Sequence, residues 1–346
     1  MQRWIERLRA PSTRKMYAHY LKRFLAFHKV TPEESLTWSV DEAEDRLEEW
    51  KYHLVSKELA GRTIQNAFGA VRRWFVDHKI RVTISCKDVD TGRVYLDYIP
   101  DREDVQKLLD DAKLHHMVGI ALIAFSGLRP VDAVNLKYEN IKASYEAGDE
   151  VLTIVIKQKK TRDWYFTFLG PQGTRYVRQL LTRRKRWEPI ADNTPIIAWE
   201  KEPISALGLR RAIGRIIERT VGNHPSGESF RVFRPYSLRK YFRRTATRLG
   251  VEVAEFLMGH RSGQESLVAT YSGLRDMDPQ AIAALKKEYV KILPELETEV
   301  TDITLRAQLE EKEEQKKALA DDLGGMKEDI AELRDFIQQL REQDKG

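Results

Sequence analysis

Along most of this chain apolar residues recur at intervals of three and four, the period of a helix face. Only Val151 to Ile156 and Trp164 to Phe168 switch to β-rich alternation, and the cationic run Lys157 to Asp163 between them reads as the tip of a hairpin. The pattern therefore predicts a mainly α chain with a small β-sheet. In the first region Ser12 is the expected N-cap of a helix striped with Tyr17, Tyr20, Leu21, Phe24 and Phe27. A second helix is expected from about Asp41 to Leu59, and a third, after Gly61, carries Ile64, Phe68, Val71, Trp74 and Phe75. Residues 79–100 lose the helical period and end at Pro100, as a strap between domains does, so a boundary is placed near residue 95. Beyond it, Asp101 is expected to cap a helix, and an apolar helix from about Leu114 to Phe125 runs into the turn Ser126, Gly127, Leu128, Arg129, Pro130. Further helices are expected at Thr174 to Trp187, Ile204 to Thr220, Pro235 to Leu249, Val253 to Leu257 and Pro279 to Val290.

Composition narrows the function. The 346 residues hold a single cysteine, Cys86, which excludes an internal disulfide and a thiolate cluster for zinc or iron and sulfur. The longest apolar run, near Met117 to Phe125, is too short for a bilayer, and the first ten residues carry Arg3, Glu6, Arg7 and Arg9 in place of a secretory apolar region. A soluble cytoplasmic protein with no membrane partner is expected. The net charge of +6 is unevenly distributed: residues 1–95 carry 18 basic and 13 acidic residues, 96–290 carry 32 and 24, and 291–346 carry 9 and 16. Two basic regions followed by an acidic tail suggest a polyanionic partner for the first 290 residues, because Lys and Arg that meet phosphates release counterions. In the tail, Leu305, Leu309, Leu319, Leu323, Met326, Ile330, Leu333, Ile337 and Leu340 follow a heptad register, broken at Gly324 and Gly325. Residues 291–346 are accordingly read as a coiled-coil-like helix for oligomerisation or regulation.

No metal or phosphate-loop motif is present: His115 and His116 are adjacent, and no glycine-rich loop precedes a helix. What recurs is cationic residues at turns and helix starts in 96–290, followed by a tyrosine. Five elements in order carry a resemblance: Gly127, Leu128 and Arg129 with Asp132 and Leu136; Lys160 after Gln158 and Lys159; Tyr236, Ser237, Leu238 and Arg239; Leu257, Met258, Gly259, His260, Arg261 and Ser262; and Tyr271. Residues 1–290 resemble the tyrosine recombinases, the phage integrase family, and the divergent pattern is similar to integrases of archaeal viruses and plasmids. The resemblance implies a helical core-binding domain over 1–95 with its linker and a catalytic domain over 96–290. It implies a site-specific recombinase of a mobile element that acts on double-stranded DNA as a homo-tetramer, without metal or cofactor.

The chemistry suits those residue types. Phosphodiester transesterification places charge on two nonbridging oxygens, which planar guanidinium forks address bidentately. The resemblance assigns the phosphate clamp to Arg129 and Arg239 with a hydrogen bond from His260, the acid to Lys160 with Lys159 as fallback, and the nucleophile to Tyr271, with Tyr289 a distant second. Asp132 is expected to orient Arg129. Two departures stand out: Tyr236 replaces the usual histidine or lysine and is a poor base, and the 11-residue interval from His260 to Tyr271 exceeds the family's nine. DNA contacts are expected from Arg14, Lys15, Lys22, Arg62, Arg72 and Arg73 in the first domain, and from Lys159, Arg162, Lys240 and Arg243 in the second. Rival readings are a topoisomerase IB-like relaxing enzyme and a DNA-binding protein that has lost turnover.

Overall fold

The computed structural model describes residues 1–8, 10–90, 92, 96–157, 164–222, 225–226, 229–260, 278–310, 312–313 and 316. The chain divides into two compact units, Met1–Tyr95 and Leu96–Gly346.

The first unit is a helical bundle of α1 (Gln2–Arg7), α2 (Pro11–His28), α3 (Val40–Ser56) and α4 (Gly61–Asp77). The aromatic stripe of α2 and the faces of α3 and α4 close on one core, in which Phe24 meets Trp50 and Phe75 edge-on. Two of the indoles in or beside it are paired, Trp74 Nε1 donating to Ser35 Oγ at 3.2 Å and Trp4 Nε1 to Asp77 at 2.9 Å, while the buried Trp50 Nε1 has no partner. Two sequence expectations need correction. Ser12 is not the cap of α2, because Pro11 takes the first helical position with Ala10 as cap, where a residue without an N–H costs no hydrogen bond. The second helix ends at Ser56, three residues early, where Lys57 leaves helical geometry and Glu58 turns left-handed. Phe27, expected in the core stripe, lies at its exposed edge against His53.

The second unit is mainly helical, with three small sheets among the described residues. Its helices are α5 (Arg102–Asp111), α6 (Leu114–Ala124), α7 (Pro130–Asn135), α8 (Lys142–Glu146), α9 (Pro171–Arg184), α10 (Ala206–Thr220), α11 (Pro235–Ala246), α12 (Val251–Leu257), α13 (Pro279–Lys291) and α14 (Leu293–Leu296). Asp101 closes a reciprocal capping box with Asp104 at the start of α5. Helix α6 is apolar around most of its circumference because it is the central rod of the core, with α9, α10 and α11 packed around it. Strands β2 (Leu152–Lys157) and β3 (Trp164–Leu169) form the expected antiparallel hairpin, Leu152 opposite Leu169 and Lys157 opposite Trp164. Burial alternates along β2 but is continuous from Tyr165 to Leu169, since both faces of β3 are covered: Phe166 stacks edge-on against Phe256 and Phe168 lies against Tyr289. A parallel pairing joins β1 (Leu96–Asp97) to β7 (Ser229–Val232), which also pairs antiparallel with β6 (Pro225–Ser226); β4 (Ala198–Trp199) and β5 (Glu202–Pro203) make a short hairpin.

The break expected at residue 290 does not fall there. Ile292, Leu293 and Leu296 are buried in the core of this unit, and Tyr241 donates its hydroxyl proton to the Leu296 carbonyl at 2.8 Å. Glu297 is buried too, its Oε1 accepting from the backbone N–H of Gln172 (3.0 Å) and Gly173 (3.3 Å) at the start of α9. Gly170 permits that approach: a Cβ there would stand 2.5 Å from Oε1. Residues 302–310 are helical, with Leu305 and Leu309 exposed. The rest of the heptad register, from Leu319 onward, lies outside the described residues.

Candidate functional site

Three turns converge on one point of the second unit. The first follows α6. Gly127 adopts φ +66°, and a Cβ there would lie 2.4 Å from the Phe242 ring, so both conformation and space demand glycine. This turn delivers Arg129 as the N-cap residue of α7, and Asp132, one turn on, pairs with its guanidinium at 3.4 Å.

The second turn leads into α11. Pro235 takes the first helical position, Tyr236 the second, and the Ser237 hydroxyl accepts from the Arg234 N–H at 3.3 Å. One turn later Arg239 is fully buried. Its Nη1 donates to the Gly127 carbonyl, and its Nη2 donates to the Met258 carbonyl (2.6 Å) and to His260 Nε2 (2.8 Å), while Nε has no partner. Burial, helped by the nearby charge of Arg129, pulls its pKa down to about 10, so it stays cationic at neutral pH.

The third turn ends α12 in a Schellman cap: the His260 N–H donates to the Glu255 carbonyl (2.8 Å) and the Gly259 N–H to that of Phe256 (2.7 Å), with Gly259 at φ +67°. The cap folds His260 back over Glu255, whose carboxylate binds imidazole Nδ1 and also Arg243 Nε at 2.8 Å. A guanidinium can only donate and a carboxylate can only accept, so the neutral imidazole carries its proton on Nδ1 and presents Nε2 as acceptor. Burial lowers the His260 pKa, the Glu255 hydrogen bond opposes it, and the charges of Arg239 and Arg129 lower it further. Burial pushes the Glu255 carboxyl up, but its bonds from His260 and Arg243 outweigh that and hold it below the ordinary value.

Arg129, Arg239, His260 and Asp132, singled out in the sequence, are therefore brought together. Tyr236 is 47% exposed at the start of α11. Lys159, Lys160, Arg162 and Tyr271 lie outside the described residues. Tyr289 is not a nucleophile: it is fully buried, and its hydroxyl donates to the Phe125 carbonyl at 2.8 Å. Lys240 pairs with Asp97 and Arg243 with Glu255, so both cations expected to contact DNA are tied within the unit. In the first unit Arg73 pairs with Asp77 at 2.8 Å, Arg72 donates to the Val82 carbonyl and Arg14 to that of Leu8; Lys15, Lys22 and Arg62 are exposed.

Sequence reasoning missed two residues. Glu255 sits five residues before His260, the spacing a Schellman cap brings together, so the Gly-His pair after an apolar helix was the available signal. Tyr165 is buried on β3 with a hydroxyl that has no partner, and its environment includes the charges of Asp132, Arg239 and Arg129. Its place in an alternating strand gave no hint of that. Among the described residues no cluster of three His, Cys, Asp or Glu could hold a metal, and no helix is long and apolar enough to cross a membrane.

No protein-family model matches the sequence, and no curated protein does. Solved structures do match in fold. A lambda integrase dimer bound to a COC' core site shares 14% identity at a TM-score of 0.56, over 80% of this chain and 95% of that one. A lambda integrase tetramer bound to a Holliday junction shares 14% at 0.55, over 76% and 75%. The recombinase XerH in a post-cleavage complex with palindromic difH shares 17% at 0.50, over 72% of each chain. The chain has the tyrosine-recombinase fold.

Proposed function

We propose that this protein is a site-specific DNA recombinase that cuts and rejoins strands through a tyrosine. The observation that carries the reading is Arg239: a fully buried cation beside a second arginine, held by three neutral acceptors and by no carboxylate. A positive centre kept in a low-dielectric place is a stable receptor for an anion, and the dianion-like transition state of a phosphodiester exchange is the anion it suits. The DNA-bound structures that share the fold support the same substrate.

In the proposed reaction the Tyr271 hydroxyl gives its proton to solvent water as its oxygen attacks phosphorus, the bond from phosphorus to the 5′ oxygen breaks, and Lys160 delivers the proton that the leaving oxygen needs. Attack by a 5′-hydroxyl on the 3′-phosphotyrosyl link reverses the sequence, so the bond energy is conserved throughout. Arg129 and Arg239 hold the nonbridging oxygens. A phosphate between them supplies the negative charge that raises the His260 pKa and places a proton on Nε2; Arg239 Nη2, which had donated to Nε2, turns that N–H to the phosphate, and Nε2 donates to it as well while Glu255 holds Nδ1. Tyr236, exposed at the helix start, contributes its hydroxyl as a hydrogen-bond donor rather than a base. The exposed Lys15, Lys22 and Arg62 contact backbone phosphates, and the active assembly is a homo-tetramer on two duplexes.

The test is covalent capture. Duplexes selected by the protein from a random pool are nicked near the bound site and incubated with the protein and its Tyr271→Phe variant, then run on a denaturing gel. A 3′-linked adduct that vanishes in the variant supports the reading. DNA binding without an adduct from the parent protein overturns it in favour of a binding protein without turnover.

A further inference from the structure

A cavity of about 310 Å³ shares no residue with the arginine and histidine site. Its walls include Trp187, Trp199, His115, Lys113, Arg183 and Arg184. Trp187 and Trp199 are 46% and 50% exposed, unusual for side chains whose burial is worth so much. Trp199 is lifted by the β4–β5 hairpin, whose tip residue Glu200 takes a left-handed φ of 53° that a non-glycine residue adopts at a cost. Each ring has a cation above it: Lys113 Nζ is 5.0 Å from the Trp199 ring centre, and the Arg183 guanidinium is 5.9 Å from that of Trp187.

Deeper in the wall, the Arg184 side chain is 2% exposed, with one nitrogen on the Pro195 carbonyl, one on Glu188, and Nε buried without a partner. His115 meets Trp199 edge-on at 4.9 Å, and burial drops its pKa to about 4, so it adds an aromatic wall and no charge at neutral pH. The charged groups facing the cavity are therefore Lys113, Arg183 and Arg184 against Glu200, with Glu188 already committed to Arg184.

Planar π faces beside cations fit a ligand that is itself planar, aromatic and anionic. We propose that this cavity binds one unpaired nucleotide, its base on an indole face and its phosphate on Lys113 and Arg183. Base stacking on an indole is stronger than an exposed cation–π contact, so a base displaces Lys113 from the Trp199 face and the freed ammonium moves to the phosphate. The volume admits a single nucleotide and rejects a base pair. The occupant is either a free nucleoside monophosphate or an unpaired residue of a DNA strand. The strand source rests on the recombinase reading, in which strand exchange exposes unpaired bases.

The experiment is a titration of the full chain with dTMP, with a labelled single-stranded oligonucleotide and with a duplex, following anisotropy for the DNAs and saturation-transfer NMR for dTMP. The expected result is binding of the oligonucleotide that weakens about tenfold or more in Trp199→Ala and in Trp187→Ala, is largely restored in Trp199→Phe, and loses about one unit of salt dependence in Lys113→Ala. Duplex binding in these variants stays within about twofold of the parent, which also shows that they fold. Saturation by dTMP alone assigns the free nucleotide; oligonucleotide binding without it assigns the strand. If whichever of dTMP and the oligonucleotide binds the parent binds Trp199→Ala as tightly, or neither binds the parent, the proposal is overturned. Retained duplex binding in that case leaves the recombinase reading standing, whereas loss of both removes the two together.

Discussion

The cations of the first unit and those of the recombinase-like site sit at opposite ends of one scale. Arg72 and Arg73 project from the outer face of α4, and each is tied by a single local contact. Arg239 is fully buried and joins two turns through main-chain carbonyls 112 and 19 residues away in sequence. An exposed arginine is solvated with or without its partner, so its ion pair is worth a few tenths of a kcal/mol and the side chain stays available to a phosphate. A buried arginine is part of the framework, and deleting it orphans every group it holds. Function and stability are therefore separable in the helical unit and fused in the site.

The largest effect is expected at Arg239. Arg239→Ala should cost about 2 to 4 kcal/mol in denaturant unfolding and abolish covalent capture, whereas Arg239→Lys should keep the charge, lose one carbonyl tie and still fall by about 100-fold in adduct rate. Equal rates in Lys and Arg proteins would break the contrast. A buried carboxylate should show the same fusion. Burial raises the Glu297 pKa to about 7 from 4.5, so the folded state holds a proton the unfolded state has lost between those values. Stability is full below pH 4.5 and declines as pH rises through 7; Glu297→Gln should flatten that decline by up to about 3 kcal/mol, read from unfolding midpoints across pH.

Glu255→Gln should act through His260. Losing the carboxylate's raising influence moves the imidazole titration to lower pH by NMR and slows adduct formation about tenfold, with little change in unfolding. The smallest effect belongs to the exposed set. Arg72→Ala and Arg73→Ala should each shift stability by less than about 0.5 kcal/mol and weaken duplex binding a few-fold, lowering the salt slope by about one per lost phosphate contact. A slope unchanged in both variants would mean that this face meets no DNA.

What could be read in the sequence follows from which signals are periodic or local. The helical stripes, the hairpin and the Asp101 cap are repeats or short-range chemistry, and they stand where expected. The Gly-Leu-Arg and Gly-His turns were visible because glycine at positive φ leaves a mark in sequence. Helix ends were harder: Pro11 overrode Ser12, and a left-handed Glu58 closed α3 early. The burial of five of the residues from Ile292 to Glu297 was hidden because the charge count of a whole tail masks a short segment whose partners, Gln172, Gly173 and Tyr241, are remote in sequence. Glu255 and Tyr165 escaped for the same reason, since a buried orienting group is recognisable only once its neighbours are in place.

The tie made by Arg239 also sets a dimension. Gly127 and Gly259 both sit at positive φ, and one guanidinium runs between the turns they form. The planar guanidinium fixes the angle between its two donated bonds, so the spacing of those turns is set in part by the geometry of one functional group. A lysine at position 239 would keep the charge but has no planar fork, so the two turns would lose the tie that fixes their spacing.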